Sequence, residues 1–93
     1  MREKEREKER EKEREKEREK ERFEKKCKAV LLKVVERRRK LGISQWDLGE
    51  LLNLTSSGYF KVETGKTKLD MFRFFKILEK LEISPEDFFK GMK

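Results

Sequence analysis

Residues 43–65 read ISQWDLGELLNLTSSGYFKVETG, and this stretch decides the fold. Ser44 follows Ile43 as a helix N-cap, and Asp47 three residues on completes a capping box with it. Leu48, Leu51 and Leu52 then form the apolar stripe of a short helix. Asn53 suits a left-handed helix stop, Leu54 fills the gap, and Thr55 is the N-cap of the next helix. That helix is expected to run to about Thr64 with Tyr59 and Val62 facing inward, and Gly65 terminates it.

Working outward, apolar residues at 27, 30, 31, 34, 35 and 41 fall close to helical spacing, so a helix is expected from Phe23 to Leu41. Gly42 ends it, with Arg37, Arg38, Arg39 and Lys40 in its last turn. Downstream, Lys66, Thr67 and Lys68 form a basic connector. Asp70 caps a fourth helix through Leu81, and Ser84-Pro85-Glu86-Asp87 starts a fifth. Nothing in the chain signals a strand. The expected fold is an all-α, compact five-helix bundle.

The first 22 residues stand outside that pattern. Residues 2–21 are five copies of Arg-Glu-Lys-Glu, closed by Arg22, with no apolar side chain. Residues 1–22 are therefore a low-complexity extension, and residues 23–93 are the foldable domain. On a helix the repeat places like charges at every four-residue spacing and opposite charges at every three-residue spacing. Glu, Lys and Arg are nonetheless good helix formers. A solvated helical extension and a disordered one both remain open. Alternating glutamates weaken any attraction for phosphate, and there are no apolar positions for a coiled coil. Solubilisation is the expected role.

Charge is unequally shared. The chain has 27 basic and 20 acidic residues, and the extension takes 11 and 10 of them. The remaining 16 basic and 10 acidic residues give the domain its positive excess, which suits a polyanionic partner such as nucleic acid. With one cysteine and no histidine, neither an internal disulfide nor a Cys/His zinc site can be assembled. Cys27, inside the apolar pattern, is expected to be a buried inert thiol. No apolar run approaches a membrane span, and the charged N-terminus lacks the apolar segment of a signal peptide, so a cytoplasmic protein is expected. No phosphate-cradling glycine loop or nucleophile–base pair is evident, so neither an enzyme nor a cofactor site is expected.

The order ERRRKLGISQ, then DLGELLNL, then YFKVETGK resembles the lambda-repressor/Cro-like helix-turn-helix regulators, the XRE family. The resemblance covers about residues 30–89. It is carried by the Gly-Ile-Ser-Gln start of the second helix, the Val-Glu-x-Gly end of the third, and the Ile-Ser-x-x-Asp entry to the fifth. It implies a third helix lying in the major groove of double-stranded DNA, braced by the second across the backbone. Residues matching Gln45, Ser56, Ser57 and Lys61 are the usual base- or phosphate-contacting positions in that family. With Tyr59, Val62 and Glu63 inward, the opposite face carries Ser57, Lys61 and Thr64. Thr55 joins Gln45 in setting the docking register, and Thr64, Lys66 and Lys68 are expected beside neighbouring phosphates. The bland alternative is a solvated polar helix and loop.

Arg38 and Glu63 occupy positions where related regulators often have an internal ion pair; two unrelated surface charges are the alternative. Gly49 stands where the family usually has alanine, and Gly58 interrupts the presumed reading helix. Phe60 borders the DNA face, where it would contact thymine methyl groups, pack against a partner protein, or fold over its own helix. Trp46 is expected to be a partly exposed packing residue. Phe72, Phe88, Phe89 and Met92 serve either a two-fold homodimer contact or the core. The expected function is a sequence-specific transcriptional regulator, a dimeric repressor. The alternative is a protein-interaction module on the same scaffold, such as an antitoxin-like protein that neutralises a partner encoded nearby.

Overall fold

Every helix after the first begins where a short polar side chain can satisfy the free amides of the first turn. In the computed structural model, which describes residues 2–92, five helices follow one another: α1 (Arg2–Lys40), α2 (Gln45–Leu51), α3 (Ser56–Glu63), α4 (Met71–Lys80) and α5 (Pro85–Phe89). The caps are Ser44, Thr55, Asp70 and Ser84, each in extended backbone. Their side-chain oxygens accept from Asp47, Gly58, Arg73 and Asp87 backbone N–H groups at 3.0, 3.0, 2.7 and 3.1 Å. At Ser44 only this half of the expected capping box forms. An aspartate is one methylene shorter than the glutamate that normally closes it.

Three helices end in the same way. Gly42, Asn53 and Glu82 take positive φ (69°, 58° and 55°), and the next residue's amide turns back on the helix. Ile43, Leu54 and Ile83 amides donate to the Arg38, Gly49 and Leu78 carbonyls at 3.1, 2.8 and 3.1 Å. Those three apolar residues then pack against the core. Glu82 is an unfavourable residue for that geometry. Arg37 reaches across from α1 to donate to the Leu81 and Glu82 carbonyls, both at 3.0 Å, which pins the turn.

The core takes Val34 from α1, Leu48 and Leu52 from the α2 region, Tyr59 and Val62 from α3, four residues of the α4 region and Phe88 from α5. Gly49 lets α2 and α3 approach closely. A Cβ there would lie 3.2 Å from the Leu54 carbonyl oxygen and 3.3 Å from both the Thr55 oxygen and Tyr59 Cβ. Lys33 seats α5 against α1, donating to the Lys90 carbonyl at 3.3 Å with its ammonium 5.5 Å from the Phe88 ring centre.

Two expectations about burial are corrected, and one left open is settled. Cys27 is exposed, because the N-terminal part of α1 projects past the bundle and has nothing to pack against there. Leu51 is 51% exposed, on the outer side of α2. Phe88 is a core residue, 1% exposed, so it is unavailable to a surface contact.

The Arg-Glu-Lys-Glu tract is helical and continuous with the domain, so α1 crosses residue 22 without a break. Its one ion pair among the described residues, Lys20 to Glu24 at 3.9 Å, needs an acidic residue outside the repeat. Phe23 shifts the charge register by one, and only then do opposite charges stand four apart. Thirty-nine residues at about 1.5 Å each give α1 a length near 58 Å. That sets the long axis of a chain measuring 61 × 29 × 20 Å, with a radius of gyration of 18.0 Å.

Candidate nucleic-acid interface

Three helices meet at one buried carboxylate. Arg38, from α1, donates from Nε to Glu63 Oε1 at 2.6 Å and from Nη2 to Oε2 at 3.4 Å. Gln45, at the start of α2, donates from Nε2 to Glu63 Oε2 at 2.7 Å. The Arg38 Nη1 donates to the Ile43 carbonyl at 2.9 Å, fixing the turn between α1 and α2. The Arg38 and Glu63 side chains are only 9% and 4% exposed. Burial pushes the Glu63 carboxyl up. The hydrogen bonds from Arg38 and Gln45, with the Arg38 charge, outweigh that and hold it below its ordinary value. Tyr59, its hydroxyl buried without a hydrogen-bond partner among the described residues, lies against this group; burial first, then the Glu63 charge, raise its pKa above the usual phenol value.

That junction fixes which side of α3 faces out. At about 100° per residue, Ser57, Phe60, Lys61 and Thr64 span roughly one quarter of the helix circumference, opposite Tyr59 and Val62. All four are exposed, Phe60 at 46%. The Ser57 hydroxyl and the Lys61 ammonium have no hydrogen-bond or ion-pair partner among the described residues. The Thr64 hydroxyl donates back to the Phe60 and Lys61 carbonyls at 2.9 and 3.3 Å, so its proton is engaged and only its lone pairs face outward. The Thr67 amide donates to the Lys61 carbonyl at 3.1 Å, which folds the connector against the end of α3 and keeps exposed Lys66 and Lys68 beside it.

At the other end of α3, Thr55 is exposed and Ser56 half-buried. They line a shallow groove with Trp46, Glu50, Asn53 and Leu54, of about 530 Å³. Trp46 is 60% exposed, so it is a surface residue to a greater degree than a packing role needs. The Trp46–Glu50 spacing of four on the outer side of α2 was the available sequence signal for this groove. Gln45 stands apart from the other site residues: it is half-buried and its amide nitrogen is engaged by Glu63.

No helix is long and apolar enough to cross a membrane among the described residues. No curated protein and no solved structure matches the chain. A family model described as helix-turn-helix matches residues 34–88, which are 55 of the 93 positions and contain α2, α3 and the Arg38–Glu63 junction. That family is one of DNA-binding regulators, not of catalysts. The chain therefore belongs to the lambda-repressor/Cro-like, XRE-type helix-turn-helix family of DNA-binding regulators.

Proposed function

We propose that this protein is a transcriptional repressor of the cytoplasm that binds a specific double-stranded DNA sequence as a homodimer. The observation that carries the reading is the exposed polar arc of α3, held at a fixed angle by the three-helix junction at Glu63. With α3 in the major groove, Ser57 and Lys61 reach base edges, Lys61 favouring guanine O6/N7 and the serine hydroxyl bonding several bases. Phe60, at the edge of the same arc, meets thymine methyl groups. Thr55 and Ser56 place the first amides of α3 toward a phosphate, while Thr64, Lys66 and Lys68 follow the neighbouring phosphates. Gln45 keeps its carbonyl oxygen free but has one amide proton engaged, so it acts on docking chiefly through the position of α2.

The reading surface has few long side chains. DNA shape and deformability therefore carry much of the discrimination. The dimer contact is formed by Met71, Phe72 and Phe75 of α4 with Phe89 of α5, exposed at 65, 73, 47 and 44%. Footprinting on the DNA upstream of its own gene tests the whole reading. A protected near-palindrome is expected, with affinity falling steeply as salt rises. Uniform weak protection with no preferred site would sink it.

A further inference from the structure

The outward surface of the α2–α3 unit is divided in charge. Asp47 and Glu50 lie on α2, which has no cation at all, whereas Lys61, Lys66 and Lys68 lie on the last part of α3 and the connector. Neither Asp47 nor Glu50 takes part in an ion pair among the described residues. Glu50 stands one helical turn from the exposed indole of Trp46, and both border the groove that runs to Asn53, Leu54, Thr55 and Ser56. Phe60, one turn along α3 from Ser56, extends the apolar character of the same side. An aromatic face next to an unpaired carboxylate repels a phosphate and attracts a cation on a partly apolar stem.

We propose that this groove docks a protein segment presenting an arginine or lysine beside an aliphatic side chain. The cation sits over the Trp46 ring and against the Glu50 carboxylate, and the aliphatic neighbour lies on Leu54. Such a segment covers Thr55 and Ser56, so its binding and DNA binding exclude each other; that exclusion and its consequence rest on the DNA-binding reading. The groove would then be where a partner lifts the regulator from its operator.

The test is a selection of random dodecapeptides displayed on phage against the full chain, followed by titration of the enriched peptides. Trp46 is the only tryptophan, so its emission reports occupancy directly. Enriched peptides should share a basic residue next to an aliphatic one. Labelled-peptide anisotropy should show Trp46→Leu and Glu50→Gln each weakening binding by roughly threefold or more, and by roughly tenfold or more together. Both residues are exposed, so the variants keep the fold. Acidic enriched peptides, or binding indifferent to both substitutions, would overturn the proposal. So would a Trp46→Leu protein that binds promoter DNA less tightly than wild type, because the indole would then contact the DNA. Peptide binding that persists in a chain with no DNA affinity would leave the proposal standing and remove the DNA reading instead.

Discussion

Replacing Arg38 by methionine keeps most of the stem volume and takes from Glu63 two of its three hydrogen bonds, leaving only the 2.7 Å donor of Gln45. A buried charge stripped of its partner costs about 3–5 kcal/mol, and the orphaned Ile43 carbonyl adds about 1 kcal/mol. A folded part of 71 residues has about 4–11 kcal/mol in total, so Arg38→Met lies at the edge of folding. Glu63→Gln leaves the guanidinium with the Ile43 carbonyl and an amide oxygen, and should cost about 3 kcal/mol. The double variant buries no charge. Its Ile43 carbonyl is orphaned as in Arg38→Met, so that loss cancels from the cycle. Without that term the two single costs sum to about 6–8 kcal/mol, and the double carries neither charge penalty. Urea titration of the four proteins at low temperature should therefore give a coupling of about 3 kcal/mol or more. Coupling below about 0.5 kcal/mol would refute the claim that this junction sets the angle of α3. Acid gives a second reading. Glu63 is held below its ordinary value, so its contribution is complete above about pH 5 and is lost as pH falls through the depressed value. The advantage of wild type over Glu63→Gln should shrink on acidification; an advantage that grew would contradict the argument.

Ser57→Glu and Lys61→Glu place carboxylates on the exposed arc of α3, and each should abolish DNA binding in a gel-shift assay while leaving the melting temperature within a few degrees of wild type. Gly49→Ala should destabilise by about 1–2 kcal/mol in urea despite alanine's better helix propensity, because two of the three atoms its Cβ would meet are backbone oxygens that cannot move aside. Deleting residues 2–22 should change DNA affinity by less than about tenfold at fixed salt, since the tract adds one net positive charge. Phe72→Glu should turn the proposed dimer into a monomer by light scattering and leave helicity unchanged, because Phe72 is 73% exposed.

Helix boundaries from α2 onward were legible because they rest on chemistry that acts over three or four residues. Ser44, Thr55, Asp70 and Ser84 cap the helices they precede, and Gly42, Asn53 and Gly65 take the positive φ expected of helix stops. Glu82 takes the same conformation with no local signal, since the stabilising partner, Arg37, is 45 residues away. Burial was less legible. Cys27 and Leu51 fit an apolar pattern but lack a neighbour, while Phe88 looked surplus until α1 and α4 met around it. At the site, the face of α3 followed from periodicity, as did the location of Lys61 and Ser57. The engagement of Gln45 by Glu63 did not, because 18 residues and a turn separate them.

The projecting half of α1 has a practical bearing on measuring assembly. A compact chain of 93 residues has a radius of gyration of about 12 Å, and a compact one of twice that length about 16 Å. The single chain already reaches 18.0 Å. A monomer therefore elutes from a sizing column earlier than a compact protein of its own mass, toward the position of one of double its mass, so elution volume alone does not separate monomer from dimer. Only a mass measurement that does not depend on shape can count the chains.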